Sequence, residues 1–583
     1  MRTPPTSPPA WLVRRVPMLA WGRTYTRGLL RHDAIAGLTV AVMLIPQAMA
    51  YAALAGMPPV SGLYASVAPL VVYAVLGTSG QLAVGPVAIV ALLTASGLAP
   101  LAGGDPATHV TLAAVLALLV GLIQVALGAL RLGALVNFLS HAVVSGFTSA
   151  AAIVIATSQI PALLGLDVER GEGWLETIAA VAGAVGETNP ATLAIAAVAI
   201  AVLAAGRRHA PQVPAALLVV AAGTALVATL GLDRLGVAIL REVPAGLPSP
   251  AVPPLSLASV EALLPIAFTI AVISYMEGIS VAKAIAGTTR QVIDADQELV
   301  ATGAANLAAG LFQAFPVAGG FSRTAVNHQA GARTGMASAI TAVVIAGATL
   351  ALTPLFYYLP RAVLAAVIVV AVIGLIDVPG TREIWRIRPA DGLALAITFA
   401  GTLLLGVELG IAIGVAASLV MFIWRTANPH TAELGRVEGT TTLRNVARYA
   451  THTDPHVVVL RIDGPLYFAN AKFVEDRVML LASARPALRH LVLDAAAVGD
   501  IDASGVHTLR EIDERLRERG VALHLATVRG PVRDVLGRAR MLPVLIEQRR
   551  VHGDVDHALQ ALDLTGSPLL ARGSDEHAPG QVL

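Results

Sequence analysis

PVAGGFSRTAVNHQAGA, residues 316–332, interrupts a succession of apolar segments with a proline, paired glycines, an arginine, an asparagine and a histidine. It lies between apolar segments near 297–312 and 337–355, so the break falls at membrane depth. Non-helical backbone there persists only where it is buried in protein or lines a polar cavity. The spacing predicts that the glycines and Pro316 end one segment, and that Ser322, a favoured N-cap residue, starts a short helix. The first N–H groups of such a helix have no intrahelical partner and carry the equivalent of about half a positive charge. Arg323 adds a full charge beside them. Two readings stand: a Pro/Gly kink with Arg323 snorkelling to the surface, or a half-helix forming one side of an anion site.

Composition supports membrane depth. Of 583 residues, 56% are hydrophobic and only 13% charged, whereas soluble domains carry about 25% charged residues. This is the balance of a polytopic membrane protein. The net charge of +2 says little about partners, and no nucleic-acid partner is expected. The chain has no cysteine, which excludes disulfides, zinc-thiolate sites, iron–sulfur clusters and thiol nucleophiles. The Pro-rich start, MRTPPTSPPA, leads into Arg14, Arg15, Arg23, Arg27 and Arg31 rather than an apolar cleavable stretch. Residues 1–32 therefore read as a cytosolic arm, not a secretory signal.

Fourteen apolar segments follow, near 34–54, 60–76, 81–97, 108–129, 138–161, 190–206, 213–230, 261–286, 297–312, 322–333, 337–355, 361–377, 391–406 and 408–424. Segments 81–97 and 322–333 are too short to span alone, since about 20 residues are needed. With the N-terminus inside, nine basic residues fall in cytosolic loops (Arg131, Arg207, Arg208, Lys283, Arg290, Arg333, Arg382, Arg386 and Arg388). Four fall opposite: Arg170, Arg234, Arg241 and Arg361. That bias predicts a transmembrane domain over 33–425 in the inner membrane, with both termini cytosolic.

A weak internal repeat runs through it. VNFLSHAVVSGFTSAAAIVIA, 136–156, follows the 81–97 segment after one helix, as YYLPRAVLAAVIVVAVIGLID, 357–377, follows 322–333. Seven segments are an odd number, so the second copy enters the membrane from the other side. Inverted repeats with broken helices in matching places mark secondary transporters, whose site lies near the bilayer midplane. The matching break is GQLAVGPVAIVALL, 80–93, with Gly85 and Pro86 before a helical stretch. Two half-helix N-termini facing each other across a pseudo-twofold axis make an anion site that needs no metal.

Near residue 425 the composition changes. HVVVLRIDGPLYFA (456–469), RHLVLDAAAV (489–498) and VALHLATV (521–528) read as strands. ASGVHTLREIDERLRERG (503–520) and PVRDVLGRARML (531–542) read as amphipathic helices. An α/β domain over 440–563 and a disordered tail over 564–583 are expected.

Other polar residues in the apolar segments bear on function. Gln47 and Tyr51 sit at i, i+4 after Pro46, where they serve either as donors to an oxyanion or in helix packing. Glu277, in ISYMEGISVAKAIA (273–286), is an intramembrane carboxylate, a proton-relay candidate by default. An ion pair with Arg323, or a place nearer the interface, is its alternative. Lys283 reads as an interface anchor. His109, His141, His209 and His328 show no metal-ligand spacing, and no catalytic triad, Walker A loop or Rossmann glycine pattern occurs. These absences point away from an enzyme, a cofactor or an ATP-driven pump.

With these residues in view, the chain resembles the sulfate permease family of anion transporters over about 33–563. The resemblance rests on DAIAGLTVAVMLIPQAMAYAALAG (33–56), LAVGPVAIVALL (82–93), the 298–335 stretch and GVELGIAIGVAASLV (406–420). LVLDAAAVGDIDASGVHTL (491–509) is similar to the core of a STAS domain. The resemblance implies an α-helical membrane protein of 14 segments as a 7+7 inverted repeat, divided into core and gate domains, with a C-terminal cytosolic α/β STAS domain. It implies a homodimer moving the core past the gate like an elevator. Substrate would sit between half-helices starting near Val87 and Ser322, contacting Gln47, Tyr51, Val87, Ala88, Phe321, Ser322, Arg323 and Thr324. Glu277 stands where proton-coupled relatives carry a carboxylate, which favours protons over sodium. Ser504 matches a phosphorylatable position, with a plain helix N-cap assisted by Asp502 as the alternative. Proton-coupled sulfate symport is the leading expectation. Bicarbonate or C4-dicarboxylate transport, or a channel-like sensor signalling through the STAS domain, are the alternatives.

Overall fold

The computed structural model describes residues 9–133, 140–168, 174–210, 214–241, 244, 246–562, 564 and 567–569. The first eight residues of the arm, Arg170, the opening VNFL of the 136–156 repeat and most of the 564–583 tail lie outside the described residues. The chain divides into two compact units, residues 1–418 and 419–583.

The first unit is helical. Among the described residues, eight helices are long and apolar enough to cross a membrane, from Arg27–Leu54 to Leu409–Ala427, and four more are apolar but shorter. Two further expected segments form the helices Ala295–Leu311 and Phe321–Gln329. The expected 60–76 segment is broken into Pro59–Tyr64 and Ala68–Leu76, and 138–161 into His141–Ser158 and Ile160–Leu164.

Close helix packing here depends on missing side chains. A Cβ on Gly121 would lie 2.7 Å from the Gly303 carbonyl, and one on Gly303 would lie 2.8 Å from the Gly121 carbonyl. Gly128 and Gly310, seven residues further along each helix, meet the same restriction. The helices Pro106–Ala129 and Ala295–Leu311 therefore pack backbone to backbone, as membrane helices do where small residues line the contact. Ala68–Leu76 packs on Ala295–Leu311 and Leu257–Thr289 on Pro106–Ala129, while Met336–Ala351 packs on Ala68–Leu76 and Arg27–Leu54, completing the core bundle. Pro190–His209 and Ala215–Leu230 pack with Arg361–Ile373, and Pro389–Leu405 packs on His141–Ser158, forming the gate layer.

The two breaks meet at the middle of the core. Strand β1 (Val84–Gly85) pairs antiparallel with β2 (Ala318–Gly319), Val84 opposite Gly319 and Gly85 opposite Ala318. Each strand runs directly into a half-helix: Ala88–Ala102 after β1, Phe321–Gln329 after β2. Side chains lock the crossing. The Ala83 N–H donates to Thr324 Oγ1 at 3.1 Å, and Asn327 Nδ2 donates to the Gln81 carbonyl at 2.8 Å. The Gly320 N–H donates to the Ala83 carbonyl at 3.1 Å.

Two buried carboxylates tie down the loops beside the half-helices. Glu298 accepts from the Thr78 N–H and hydroxyl, both at 2.6 Å, from the Ser79 N–H at 3.2 Å and from the Tyr73 hydroxyl at 2.8 Å. Asp33 accepts from the Arg333 N–H at 2.7 Å, the Thr334 N–H at 3.2 Å, the Thr334 hydroxyl at 2.6 Å and the Tyr25 hydroxyl at 3.1 Å. A carboxylate so fully hydrogen-bonded is tolerated away from water, and each serves as a structural clasp.

The second unit is an α/β sandwich on a six-stranded sheet. It adds β3 (His430–Arg436), β4 (Leu443–Asn445), β5 (Val457–Asp463), β6 (His490–Asp494), β7 (Ala522–Ala526) and β8 (Val551–His552). The sheet order is β4-β3-β5-β6-β7-β8, antiparallel on the β3 side and parallel from β5 to β8. Alternating apolar residues cover both faces. One packs on the helices Ala471–Ser483, Ala503–Glu518 and Gly530–Arg538, the other on Val555–Ala561. A diagonal of three imidazoles crosses neighbouring strands: His490 Nδ1 lies 3.2 Å from His524 Nε2, and His524 Nδ1 lies 3.1 Å from His552 Nε2.

Candidate functional site

The half-helices begin without side-chain caps. Val87 is the N-cap of the first, at φ −131° and ψ 151°, and Gly320 of the second, at φ −91° and ψ 129°. The expected cap, Ser322, is instead the second residue of its helix and is exposed. The reason is the β1–β2 pairing, which keeps the chain extended through Gly319 and leaves Gly320 at the turn into the helix. The free N–H groups of both first turns then remain available for an anion.

Both N-termini open on one cavity of about 390 Å³, a volume suited to a small ligand with some water. Gln47, Tyr51, Val87, Ala88, Glu277, Phe321, Ser322 and Arg323 all line it. Thr324 does not. Its hydroxyl is buried in the crossing, accepting from Ala83 and donating to the Gly320 carbonyl at 2.6 Å. Across the cavity stand gate residues, among them Leu203, Val367 and Val370, with Arg207 at the end of Pro190–His209. Arg207 Nη1 donates to the Val370 carbonyl at 3.2 Å, so a second guanidinium belongs to the cavity wall. The sequence marks Arg207 only as a loop charge.

Arg323 is 2% exposed, which rules out snorkelling. Its Nη1 donates to the Pro86 carbonyl at 2.5 Å, fastening the charge of the second half to the break of the first. Among the described residues, its Nε and Nη2 are buried without a partner, as are Gln47 Oε1 and Glu277 Oε2. Among the described residues Glu277 and Arg323 form no ion pair with each other, although both line the cavity. Unpaired buried polar atoms are costly and rare, and four of them converge here on one small space.

Chemically, this site offers two helix termini, two guanidiniums, a phenol and an amide as donors, with one carboxylate among them. Hydrogen-bond donors therefore outnumber the one carboxylate in the cavity wall. Among the described residues no group of three or more His, Asp or Glu is placed to hold a metal ion. In the second unit, Ser504 is exposed in the first turn of Ala503–Glu518. The N-cap is Asp502, which accepts from the Gly505 N–H at 2.8 Å, so Ser504 is not the cap. Asp502 also accepts from the Phe468 N–H at 3.0 Å.

Two broken helices crossing in the core of a multi-helix membrane unit, in a chain that also carries an α/β unit of this topology, define a membrane carrier with an inverted repeat. The chain belongs to the sulfate permease family, whose profile matches residues 30–398, and the STAS domain profile matches residues 448–558. It is 36% identical over 572 residues to the chloroplastic sulfate transporter 4.1 of Arabidopsis thaliana, covering 94% of this chain and 83% of that protein. It is 38% identical over 522 residues to a probable sulfate transporter of Mycobacterium tuberculosis, covering 89% and 93%. Among solved structures, the murine solute carrier 26 family member A9 anion transporter shares the fold at a TM-score of 0.89 and 24% identity, over 96% of both chains. The transmembrane domain of a cyanobacterial bicarbonate transporter matches at 0.58 and 25%, over 68% of this chain and 98% of that one. The chain is thus a multi-pass membrane protein of an anion-transporting family.

Proposed function

We propose that the chain is a proton-coupled anion symporter with sulfate as its preferred substrate, working by elevator-type alternating access. The observation that carries this reading is the single cavity in which two uncapped half-helix termini and Arg323 face Glu277 without an ion pair. An ionised Glu277 opposes the anion; a protonated one leaves the positive groups unopposed. Proton and anion then favour each other's binding, and by linkage the favour is equal in both directions. A co-transported proton also offsets the cost of moving negative charge into a negative interior, about 2.3 kcal/mol per charge at 100 mV. The substrate contacts are Gln47, Tyr51, Val87, Ala88, Phe321, Ser322 and Arg323. The setting is the inner membrane, with both termini cytosolic and the chain as a homodimer.

Uptake of labelled sulfate into proteoliposomes tests the reading. An inward proton gradient is expected to accelerate uptake by the wild type and to leave Glu277→Gln unaffected; a sodium gradient is expected to do nothing. Uptake that ignores the proton gradient in both proteins would remove proton coupling. The likeness to a bicarbonate transporter at 25% identity favours one second reading, bicarbonate as substrate. Unlabelled bicarbonate and C4-dicarboxylates, added as competitors, decide between them: stronger competition than by sulfate itself would displace sulfate as substrate.

A further inference from the structure

We propose that Asn306 and Gln124 are positioning residues for the anion site, setting where the second half-helix begins relative to the helix that carries Glu277. The inference rests on the site reading above. Neither residue lines the cavity, and both are 0% exposed. Asn306, on Ala295–Leu311, grips the backbone of Val317 from both sides. Its Oδ1 accepts from the Val317 N–H at 2.8 Å, and its Nδ2 donates to the Val317 carbonyl at 3.1 Å. Val317 directly precedes β2 and stands three residues before the N-cap Gly320.

The hold continues inward. The two hydrogens of Asn306 Nδ2 are shared among three acceptors, the others being Gln124 Oε1 at 3.0 Å and the Thr302 carbonyl at 3.1 Å. Gln124, on Pro106–Ala129, donates through Nε2 to the Ala271 carbonyl at 3.0 Å and to Ser274 Oγ at 2.8 Å. Ser274 lies one turn before Glu277 on Leu257–Thr289. A continuous line of hydrogen bonds therefore joins Val317, Asn306, Gln124 and Ser274, and links the approach to one cavity wall with the helix forming another.

An apolar pair would fill this space between close-packed helices without the desolvation cost of two amides. What the amides provide is fixed length. β2 is only two residues long, so the backbone ahead of Gly320 has little secondary structure to hold it. Hydrogen bonds from the first turn to an anion weaken steeply as their angle falls away from linear. A half-helix whose start drifts is thus a weaker anion site even when the fold is intact.

The test uses the full chain in proteoliposomes, with initial rates of labelled sulfate uptake normalised to folded protein. Asn306→Asp and Gln124→Glu keep the side-chain shape and remove the amide donors. Asn306→Ala, Gln124→Ala and the double alanine variant remove the link. Each single variant is expected to raise KM about tenfold while Vmax per folded molecule stays within about twofold. The double variant is expected to be no worse than the worse single, because the bonds act in series. An unchanged KM with only a lower folded yield, in the Asp and Glu variants as well as the alanines, would reduce both residues to packing and overturn the proposal. So would singles whose effects multiply. Wild type and Arg323→Gln serve as references. If the wild type shows no saturable uptake of sulfate, bicarbonate or dicarboxylate, the site reading itself fails. If it saturates and only Arg323→Gln raises KM, the positioning inference alone fails.

Discussion

Replacing Arg323 with Gln removes one full charge from the cavity and leaves a neutral donor in its place. The two half-helix termini contribute about half a charge each, so Arg323 supplies about half of the positive charge on the half-helix side of the cavity, with Arg207 in the facing wall. With its Nη1 held on the Pro86 carbonyl, Nε and Nη2 remain free on the buried side. Take an anion about 5 Å away and an effective dielectric of about 40, between protein interior and water; one charge pair is then worth ~1.7 kcal/mol. That converts to a loss of ~15-fold in affinity for a monoanion and, because the energy doubles, ~250-fold for a dianion. The ratio between the two losses is the informative quantity. Arg323→Lys keeps the charge but gives up the planar fork that spans Pro86 and the cavity, so its losses are expected to be smaller and less dependent on ligand charge. Inhibition of labelled sulfate uptake by unlabelled sulfate and by monovalent anions, in proteoliposomes at fixed ionic strength, gives both losses. If Arg323→Gln weakens monoanions and dianions by the same factor, Arg323 acts as a strut for Pro86 and the electrostatic account is refuted.

Two further outcomes follow from residues off the cavity. His524 in β7 is pulled down from 6.5 to about 4, first by burial and then by His490, His552 and Arg550. The folded unit thus keeps this ring neutral where the unfolded chain protonates it; the resulting stability is complete above pH 6.5 and is lost as pH falls toward 4. Urea denaturation of the C-terminal unit, which has its own two cores, is expected to show ~2 kcal/mol less stability at pH 5.0 than at 7.5, at 1.36 kcal/mol per pH unit below 6.5. His524→Leu should remove most of that slope; an equal slope in the variant would place the acid sensitivity elsewhere. Thr324→Val keeps the shape of the side chain but strands the buried Ala83 N–H, at ~1–3 kcal/mol. A lower thermal midpoint with unchanged KM is expected, and a raised KM at unchanged stability would put the hydroxyl on the anion instead.

The site was legible where its signal is local, and illegible where it depends on a partner distant in sequence. Pro86, Gly85 and the Gly319–Gly320 pair mark both breaks, because few residues tolerate leaving a helix at membrane depth. Ser322 looks like a cap because Ser caps helices generally. Gly320 takes that place only because Val84 pairs with Gly319, a contact no local pattern announces. Thr324 fell among the expected ligands for the same reason: its partner is Ala83, 241 residues away. Asp33 follows Arg31 and His32, and Glu298 follows Asp294, Asp296 and Gln297, so neither stands out in the sequence; only their donors on Thr334, Arg333, Thr78 and Tyr73 identify them as clasps. In the second unit the three buried strands β5, β6 and β7 follow from their apolar runs. The short β4 and β8 and the leading β3 carry too little alternation to be read without the sheet they join.

The bonding pattern also constrains how the proposed motion can divide the molecule. The two half-helices are joined by the Ala83–Thr324, Gly320–Ala83, Asn327–Gln81 and Arg323–Pro86 hydrogen bonds. All lie in the core, where each broken bond would strand a buried polar group at ~1–3 kcal/mol. Separating the halves would cost all four together and would release the Arg323 charge from its one anchor. On the other side of the cavity, Leu203, Val367 and Leu375 present apolar surface, which slides without leaving unpaired donors. Arg207 meets its own gate partner, the Val370 carbonyl, and so travels with that wall rather than bridging to the core. Under the proposed elevator motion, such a carrier would expose its site most cheaply by moving both half-helices as one body along the apolar wall, keeping the two N-termini at fixed separation throughout.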